Sequence, residues 1–312
     1  MAANLTKKAT LEGMERIGDP EAELERAGRE PTTAAGDFED RDGYESSFLD
    51  GWDIPLPRPS GERAGDLLDV RRGPGRGGVE LKYEHFSVMM SKSRRMPLLT
   101  AANIDGNESK SVPRIKTWNF DGRLDKEDQW GDALYDGNAL DRGHMVRRED
   151  PIWGNLSTAR RANRDTFHFT NSCPQMAGVN QQTWLGLENY ILHNARADGM
   201  RVSVFTGPFF TDDDLEYRGA RVPLAFWKVV AIVTEDGRPS ATAYKVSQAR
   251  ELSELEFVYA GYKTYQISVR QVIAATDIDF GGLVEYDGFS EHEGTGGAAL
   301  VERLDSLEQI RV

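Results

Sequence analysis

From Val79 onward the chain is cut by Gly, Asp and Pro into short runs rich in β-branched and aromatic residues, and this spacing most restricts what it can fold into. Residues 86–90, 200–206, 227–233 and 241–246 read as strands. The stretch 181–197 reads as a helix, and shorter helices are expected near 247–252, 269–273 and 298–304, the last after a Gly-rich loop. The segments show no internal repeat. Runs of strands with few intervening helices favour neighbours that pair antiparallel, so the expected fold class is α+β: a central, mainly antiparallel sheet with helices packed on it.

Residues 1–80 have a different character. They are rich in Gly, Pro, Glu, Asp and Arg, and carry 18 acidic against 11 basic residues, a net of −7 that leaves −6 for the other 232. The run 71–78 (Arg-Arg-Gly-Pro-Gly-Arg-Gly-Gly) reads as a hinge or linker. A short helix is expected across 20–28, with Asp19 as N-cap, Pro20 in the first turn and Gly28 past the last. The expected organisation is an acidic extension, residues 1–80, partly disordered or regulatory, followed by a domain over 81–312. No stretch approaches the roughly 20 apolar residues that span a bilayer. The first residues lack the apolar run of a secretory signal, and Glu12, Glu15, Asp19 and Glu21 are unlike a mitochondrial transit peptide. Cys173 is the single cysteine, which excludes an intramolecular disulfide and a cysteine-based zinc cluster and suits a reducing compartment. A small buried thiol is expected there. These features point to a cytoplasmic protein from a bacterium or phage.

The chemistry is concentrated in Asp141-Arg142-Gly143-His144 and, downstream, the run 180–188 (Asn-Gln-Gln-Thr-Trp-Leu-Gly-Leu-Glu). Hydrolysis of a phosphodiester needs a water deprotonated in line with the leaving oxygen, and a histidine suits that proton transfer. The transition state gains negative charge, which a divalent cation and a guanidinium can stabilise. Arg142 lies two residues before His144, so in an extended segment both side chains share a face. Magnesium prefers oxygen ligands and keeps most of its waters, so one amide oxygen, that of Asn180, can suffice as direct ligand, with Glu188 holding coordinated waters.

Asp141-Arg142-Gly143-His144, Asn171 before Pro174-Gln175, then Asn180-Gln181 with Trp184 and Leu187-Glu188, resemble in order and spacing the DNA/RNA non-specific endonuclease family, the ββα-metal nucleases. The resemblance covers most of the chain after residue 80. It implies a site on a strand–strand–helix unit, with His144 as general base, Asn180 as metal ligand, Glu188 contacting metal-bound water and Arg142 stabilising the phosphate. It implies a further arginine about thirty residues before the histidine; Arg114 is the nearest candidate, with Lys116 and Arg123 as rivals. Asn171 is expected in a supporting role, its amide hydrogen-bonding backbone to hold the histidine strand. Residues 180 and 188 are separated by about 12 Å along a continuous helix, so Glu188 is expected to reach the ion through water. The resemblance also implies magnesium, with manganese able to substitute, action on DNA, RNA or both, 5′-phosphate products, and relatives that are commonly dimers.

Each residue also has an ordinary reading. Gly143 can mark a turn capped by Asp141, and Asn180 can be a helix N-cap with Trp184 and Leu187 packed inward. His85, His168, His193 and His292 are expected to be structural, His168 alternating with Phe167 and Phe169 on a strand and facing solvent or substrate. The net charge of −13 opposes binding of a polyanion. Arg142, Arg147, Arg148, Arg160, Arg161 and Arg164 could form a local basic cleft, or could be neutralised by Glu149, Asp150 and Asp165. The alternative to an enzyme is a silent scaffold of the same fold, or a nuclease kept dormant until a partner acts on, or a protease removes, the N-terminal extension.

Overall fold

The computed structural model describes residues 30–176, 184–249, 263–295 and 297–304. In chain order its strands are β1 (Thr32–Thr33), β2 (Arg58–Pro59), β3 (Glu80–Tyr83), β4 (Phe86–Ser91), β5 (Met96–Asp105), β6 (Phe120–Asp121), β7 (Leu140–His144) and β8 (Ser172–Met176). They continue as β9 (Arg201–Pro208), β10 (Leu215–Tyr217), β11 (Ala220–Val222), β12 (Ala225–Val233), β13 (Pro239–Ser247), β14 (Lys263–Ile267), β15 (Ile278–Asp279) and β16 (Glu302–Leu304). The α-helices are α1 (Gly61–Gly65), α2 (Leu156–Asp165), α3 (Trp184–Ala197), α4 (Val269–Thr276) and α5 (Gly288–Gly294).

Eight strands form one sheet in the order β16-β14-β13-β12-β9-β5-β4-β3, with every neighbouring pair antiparallel. The α+β expectation is met, and the four strand runs from the sequence coincide with β4, β9, β12 and β13, the second beginning at Arg201 rather than Met200. β4 and β5 are buried at every position, so the sheet is covered on both faces even next to its edge strand β3. The larger core cluster includes Phe205, Phe226, Trp227 and Phe280; a second gathers Phe38, Tyr83, Phe86, Val88 and Val146.

Residues 30–80 are woven into this domain rather than set apart from it. Phe38, Leu68 and Val70 sit in the second core, and Tyr44, Phe48, Leu49 and Ile54 in the first. Burying a side chain such as Phe38 contributes roughly 1.5–3 kcal/mol, which ties the segment down. β1 pairs with β6 and β2 with β15. The boundary expected at residue 80 therefore does not separate two bodies among the described residues. The run 71–78 is a closed loop, not a hinge: Val70 N–H donates to Gly78 O at 2.8 Å and Gly77 N–H to Val70 O at 2.9 Å. The helix expected at 20–28 lies outside the described residues.

One helix expectation at the C-terminal end needs correction, that at 298–304. Residues 302–304 form β16, which pairs with β14 at the sheet edge, where an open row of backbone donors and acceptors outweighs a short helical pattern. For the helix expected near 247–252, Ser247 ends β13, Ala249 is already helical, and residues 250–252 lie outside the described residues.

Candidate active site

β7 and β8 form a separate antiparallel hairpin-like pair, in register Asp141↔Gln175, Gly143↔Cys173 and His144↔Ser172, and α3 follows them. Gly143 is required by contact rather than by backbone angle. A Cβ on it would lie 2.2 Å from Cδ of Gln175, a fully buried side chain laid across the strand. His144 closes β7, and Asn171 fixes the chain just beyond it. The Asn171 side chain accepts from Val146 N–H at 2.8 Å and donates to Val146 O at 3.0 Å and Thr166 O at 3.1 Å, while its carbonyl accepts from Met145 N–H at 2.9 Å. A fully buried amide with all these partners holds the histidine strand against the loop after α2.

The His144 ring lies between Trp118 and Phe167, with centroids 4.7 and 4.9 Å away. Its Nε2 is sealed from solvent without a hydrogen-bond partner. Burial first, and then the positive charges of Arg114 and Arg148, push its pKa down from 6.5 to about 3. The imidazole is therefore neutral across the physiological range. Arg114, exposed and with its guanidinium over the Phe167 ring at 5.3 Å, is thus brought to the histidine. Its rival Arg123 is not: it is 1% exposed, paired with Asp121 at 2.7 Å and stacked over Phe38 in the second core. Lys116 is exposed.

Arg142 shares β7 with His144 but is already paired. Its Nε donates to Asp132 Oδ1 at 2.6 Å, its Nη2 reaches Asp136 at 3.3 Å, and it lies over the Tyr135 ring. The other arginines divide. Arg161 is bound by Glu84 and Asp40, Asp165 is taken by Arg41, and Arg147 and Arg148 both approach Glu149. His168 departs from the expectation of a solvent-facing strand position. It is 2% exposed, in a loop, with Nδ1 at 2.9 Å from Asp165 O and Nε2 at 2.8 Å from Thr33 Oγ1.

Glu188 comes from the second turn of α3 and is buried, with Oε1 lying 3.3 Å from the ammonium of Lys228 on β12. That oxygen has no geometrically formed hydrogen bond. Lys228 is 1% exposed and also donates to Thr206 Oγ1 at 3.0 Å. Arg147 secures the helix from outside, donating to Glu188 O at 2.9 Å and to the Asn189 side chain at 2.6 Å. Asp150 is buried in the same field, and burial raises its pKa to about 7 against the pull of Arg147 and Lys228. Asn180 lies outside the described residues. Among the described residues no group of three or more His, Cys, Asp or Glu side chains converges to hold a metal. The nearby donor is a carboxylate oxygen, and the Cys173 thiol is turned toward Met96 sulfur at 3.8 Å in the core. Such a hard, sparse donor set fits a cation that keeps most of its waters, as magnesium does.

Residues 64–287 match the model of the DNA/RNA non-specific endonuclease family. The chain belongs to that family. The chain is 38% identical over 280 residues to the protein y4fB of Sinorhizobium fredii, covering 83% of this chain and 42% of that protein. It is 30% identical over 129 residues to human mitochondrial endonuclease G, covering 38% of this chain and 41% of that protein. The chain thus spans about two fifths of the length of these curated relatives. Its fold is similar to a chain in the crystal structure of the EndoG/EndoGI complex, with a TM-score of 0.51 and 17% identity over 64% of this chain and 84% of that one. This likeness agrees with a ββα-metal architecture.

Sequence reasoning gave no role in the candidate site to Trp118, Gln175 or Lys228, and took Asp150 only as a possible partner of the arginines. Lys228 carried a readable signal, since a lysine in the middle of Phe226-Trp227-Lys228-Val229-Val230 interrupts an otherwise apolar strand and must find a buried partner. Trp118 had none, because its contact with His144 depends on an irregular loop.

Proposed function

We propose that the protein is a metal-dependent endonuclease of low sequence specificity that hydrolyses phosphodiester bonds of DNA, RNA or both and leaves 5′-phosphates. The observation that carries this reading is His144: neutral, walled by Trp118 and Phe167, and within the field of Arg114 and Arg148. A neutral imidazole accepts the proton of an attacking water. The two arginines oppose imidazolium in the free protein, and a phosphate drawn to them would offset that opposition, so base strength rises with substrate bound. Arg114, exposed beside the ring, suits transition-state stabilisation better than Arg142, whose charge Asp132 and Asp136 already answer, and Arg148, although hydrogen-bonded to Glu149, adds to the field at His144. Asn180 as direct ligand and Glu188 through water would hold magnesium, with manganese as substitute; the ion supplies neutralisation of charge developing on phosphate and leaving oxygen. Asn171 and Lys228 position His144 and Glu188 respectively. Contacts made to the backbone carry little sequence information, which accounts for the low specificity.

The test is cleavage of a supercoiled plasmid and a single-stranded RNA by wild type and His144→Ala, with magnesium or excess chelator. Cutting should fall about 10²–10⁴-fold in the variant and vanish with chelator. Wild type inert on both substrates with every divalent cation tried would defeat the reading. Dormancy imposed by the N-terminus is tested by deleting residues 1–29, which would then speed cleavage. Deletion to residue 80 is uninformative because it strips Phe38, Leu68 and Val70 from the core.

A further inference from the structure

Arg148, four residues after His144, lines a polar cavity of about 480 Å³ together with Ser109, Lys110, Ser111, Glu149 and Arg196 among others. Its chemistry is set by an imbalance. The Glu149 carboxylate is hydrogen-bonded by Arg148 and approached by Arg147 at 3.5 Å and Arg196 at 3.6 Å. Three guanidiniums thus converge on one carboxylate. Lys110 adds a fourth cation, answered by Glu108 at 3.9 Å. With Asp150, which lies in the field of Arg147, four cations face three carboxylates and leave a local surplus of one positive charge in a chain whose net charge is −13.

A purely structural ion-pair cluster has no use for such a surplus, because like charges brought together repel. The cavity also has fixed geometry. Arg196 Nε donates to Ser109 Oγ at 2.8 Å, and Arg148 reaches Val112 O and Asn163 Oδ1, each at 3.3 Å. Arg148 lies four residues after His144 and donates to Val112 O, two residues before Arg114, so the cavity adjoins the segments that carry the histidine and its neighbouring arginine. Glu149 occupies the centre of the cations as an anionic oxygen pair, the chemistry that a phosphodiester would present in its place.

We propose that this cavity is a phosphate subsite, taking a backbone phosphate of the nucleic-acid strand that flanks the one cut at His144; the proposal rests on the endonuclease reading above. Arg196 and Lys110 bind the flanking phosphate, Arg148 is shared between the two phosphates, and Glu149 keeps the cations converged while the site is empty and weakens binding by competing for them.

The test uses the full chain with His144→Ala to stop cleavage. Binding of a fluorescent single-stranded oligonucleotide is measured in chelator between about 50 and 300 mM salt, with Arg196→Gln, Lys110→Gln or Glu149→Gln added. Each lost phosphate contact should raise Kd several-fold and reduce the slope of log K against log salt by about 0.7. Glu149→Gln should tighten binding several-fold, an effect that general loss of structure cannot imitate. Unchanged slopes in both cation variants, or weaker binding by Glu149→Gln, would overturn the subsite while cleavage by wild type still supports the endonuclease. No binding by the His144→Ala protein at any salt, together with no cleavage by wild type, would overturn both.

Discussion

Lys228→Met removes the charge that the sheet delivers to the site helix and keeps nearly the same unbranched volume. In the native protein the ammonium is 1% exposed, 3.3 Å from Glu188 Oε1 and 3.0 Å from Thr206 Oγ1. Breaking one side of a buried pair costs about 3–5 kcal/mol, because the remaining charge is left uncompensated. Arg147 stays close enough to moderate the loss at Asp150, so about 3 kcal/mol is expected at pH 8. The cost should depend on pH with a definite sign. Asp150 already has its pKa raised to about 7 by burial, and Lys228 is one of the charges that hold it down, so without Lys228 it takes up a proton at a pH where the unfolded chain does not. The variant therefore regains stability as pH falls, by up to about 1.4 kcal/mol per unit. Urea unfolding of Lys228→Met, Glu188→Gln and the double variant at pH 8 and pH 6 measures this. The deficit of Lys228→Met should shrink at pH 6, and the double variant at pH 8 should recover at least about 1.5 kcal/mol of the summed single costs. Single costs that add to within about 0.5 kcal/mol, or a deficit indifferent to pH, would refute the coupling.

Gly143→Ala places a methyl 2.2 Å from Gln175 and should cost about 1–3 kcal/mol; adding Gln175→Ala should recover much of it, and an unchanged melting temperature in the single variant contradicts the contact. Asn171→Ala loses three buried side-chain hydrogen bonds and orphans Val146 N–H, for about 3 kcal/mol in urea unfolding, with kcat falling as His144 loosens; full activity with native stability would rule out the positioning role. His85 and His144 are held neutral by burial, with pKa values lowered to about 4 and about 3. Because both folded values lie below 6.5, the unfolded chain takes up protons first, and stability should fall by about 2 kcal/mol per histidine between pH 7.5 and 5. A proton NMR titration of His144 with a midpoint near 6.5 would contradict this.

The legible part of the fold was whatever repeats along the chain. Trp227–Val233 and Ala241–Val246 announce strands through β-branched residues, and Val269 to Thr276 announces a helix through its apolar spacing and the Ser268 cap. The anchoring of residues 30–80 was not legible because their apolar residues are single anchors, Phe38, Phe48 and Ile54, spread among Gly, Pro and acids, with no period that local reasoning can detect. The same division runs through the site. The residues named by motif, His144, Arg142, Asn171 and Glu188, lie on or beside the strand–strand–helix unit, but their partners come from elsewhere in the chain: Trp118 from a loop, Lys228 from the central sheet, Asp132 from the segment before β7. Pairing across such separations depends on tertiary structure, and Arg142 shows the consequence, since a charge that the motif offers to phosphate is spent on Asp132 and Asp136.

The net charge of −13 ceases to be an objection once its distribution is considered. At physiological ionic strength the Debye length is about 8 Å, so a phosphate at His144 responds mainly to Arg114, Arg148 and the cluster around Glu149. Several acidic groups nearby are neutralised within the fold: Asp165 by Arg41, Asp121 by Arg123 and Glu84 by Arg161. The acidic body then acts chiefly at long range, opposing the approach of any polyanion at low salt. Raising salt should first relieve that repulsion and only later weaken the local phosphate contacts. The association rate with a short oligonucleotide should therefore depend on salt more weakly than its affinity does. A steep fall in association rate from the lowest salt onward would indicate a basic surface wider than the Arg114, Arg148 and Arg196 edge, and would place the nucleic acid elsewhere on the molecule.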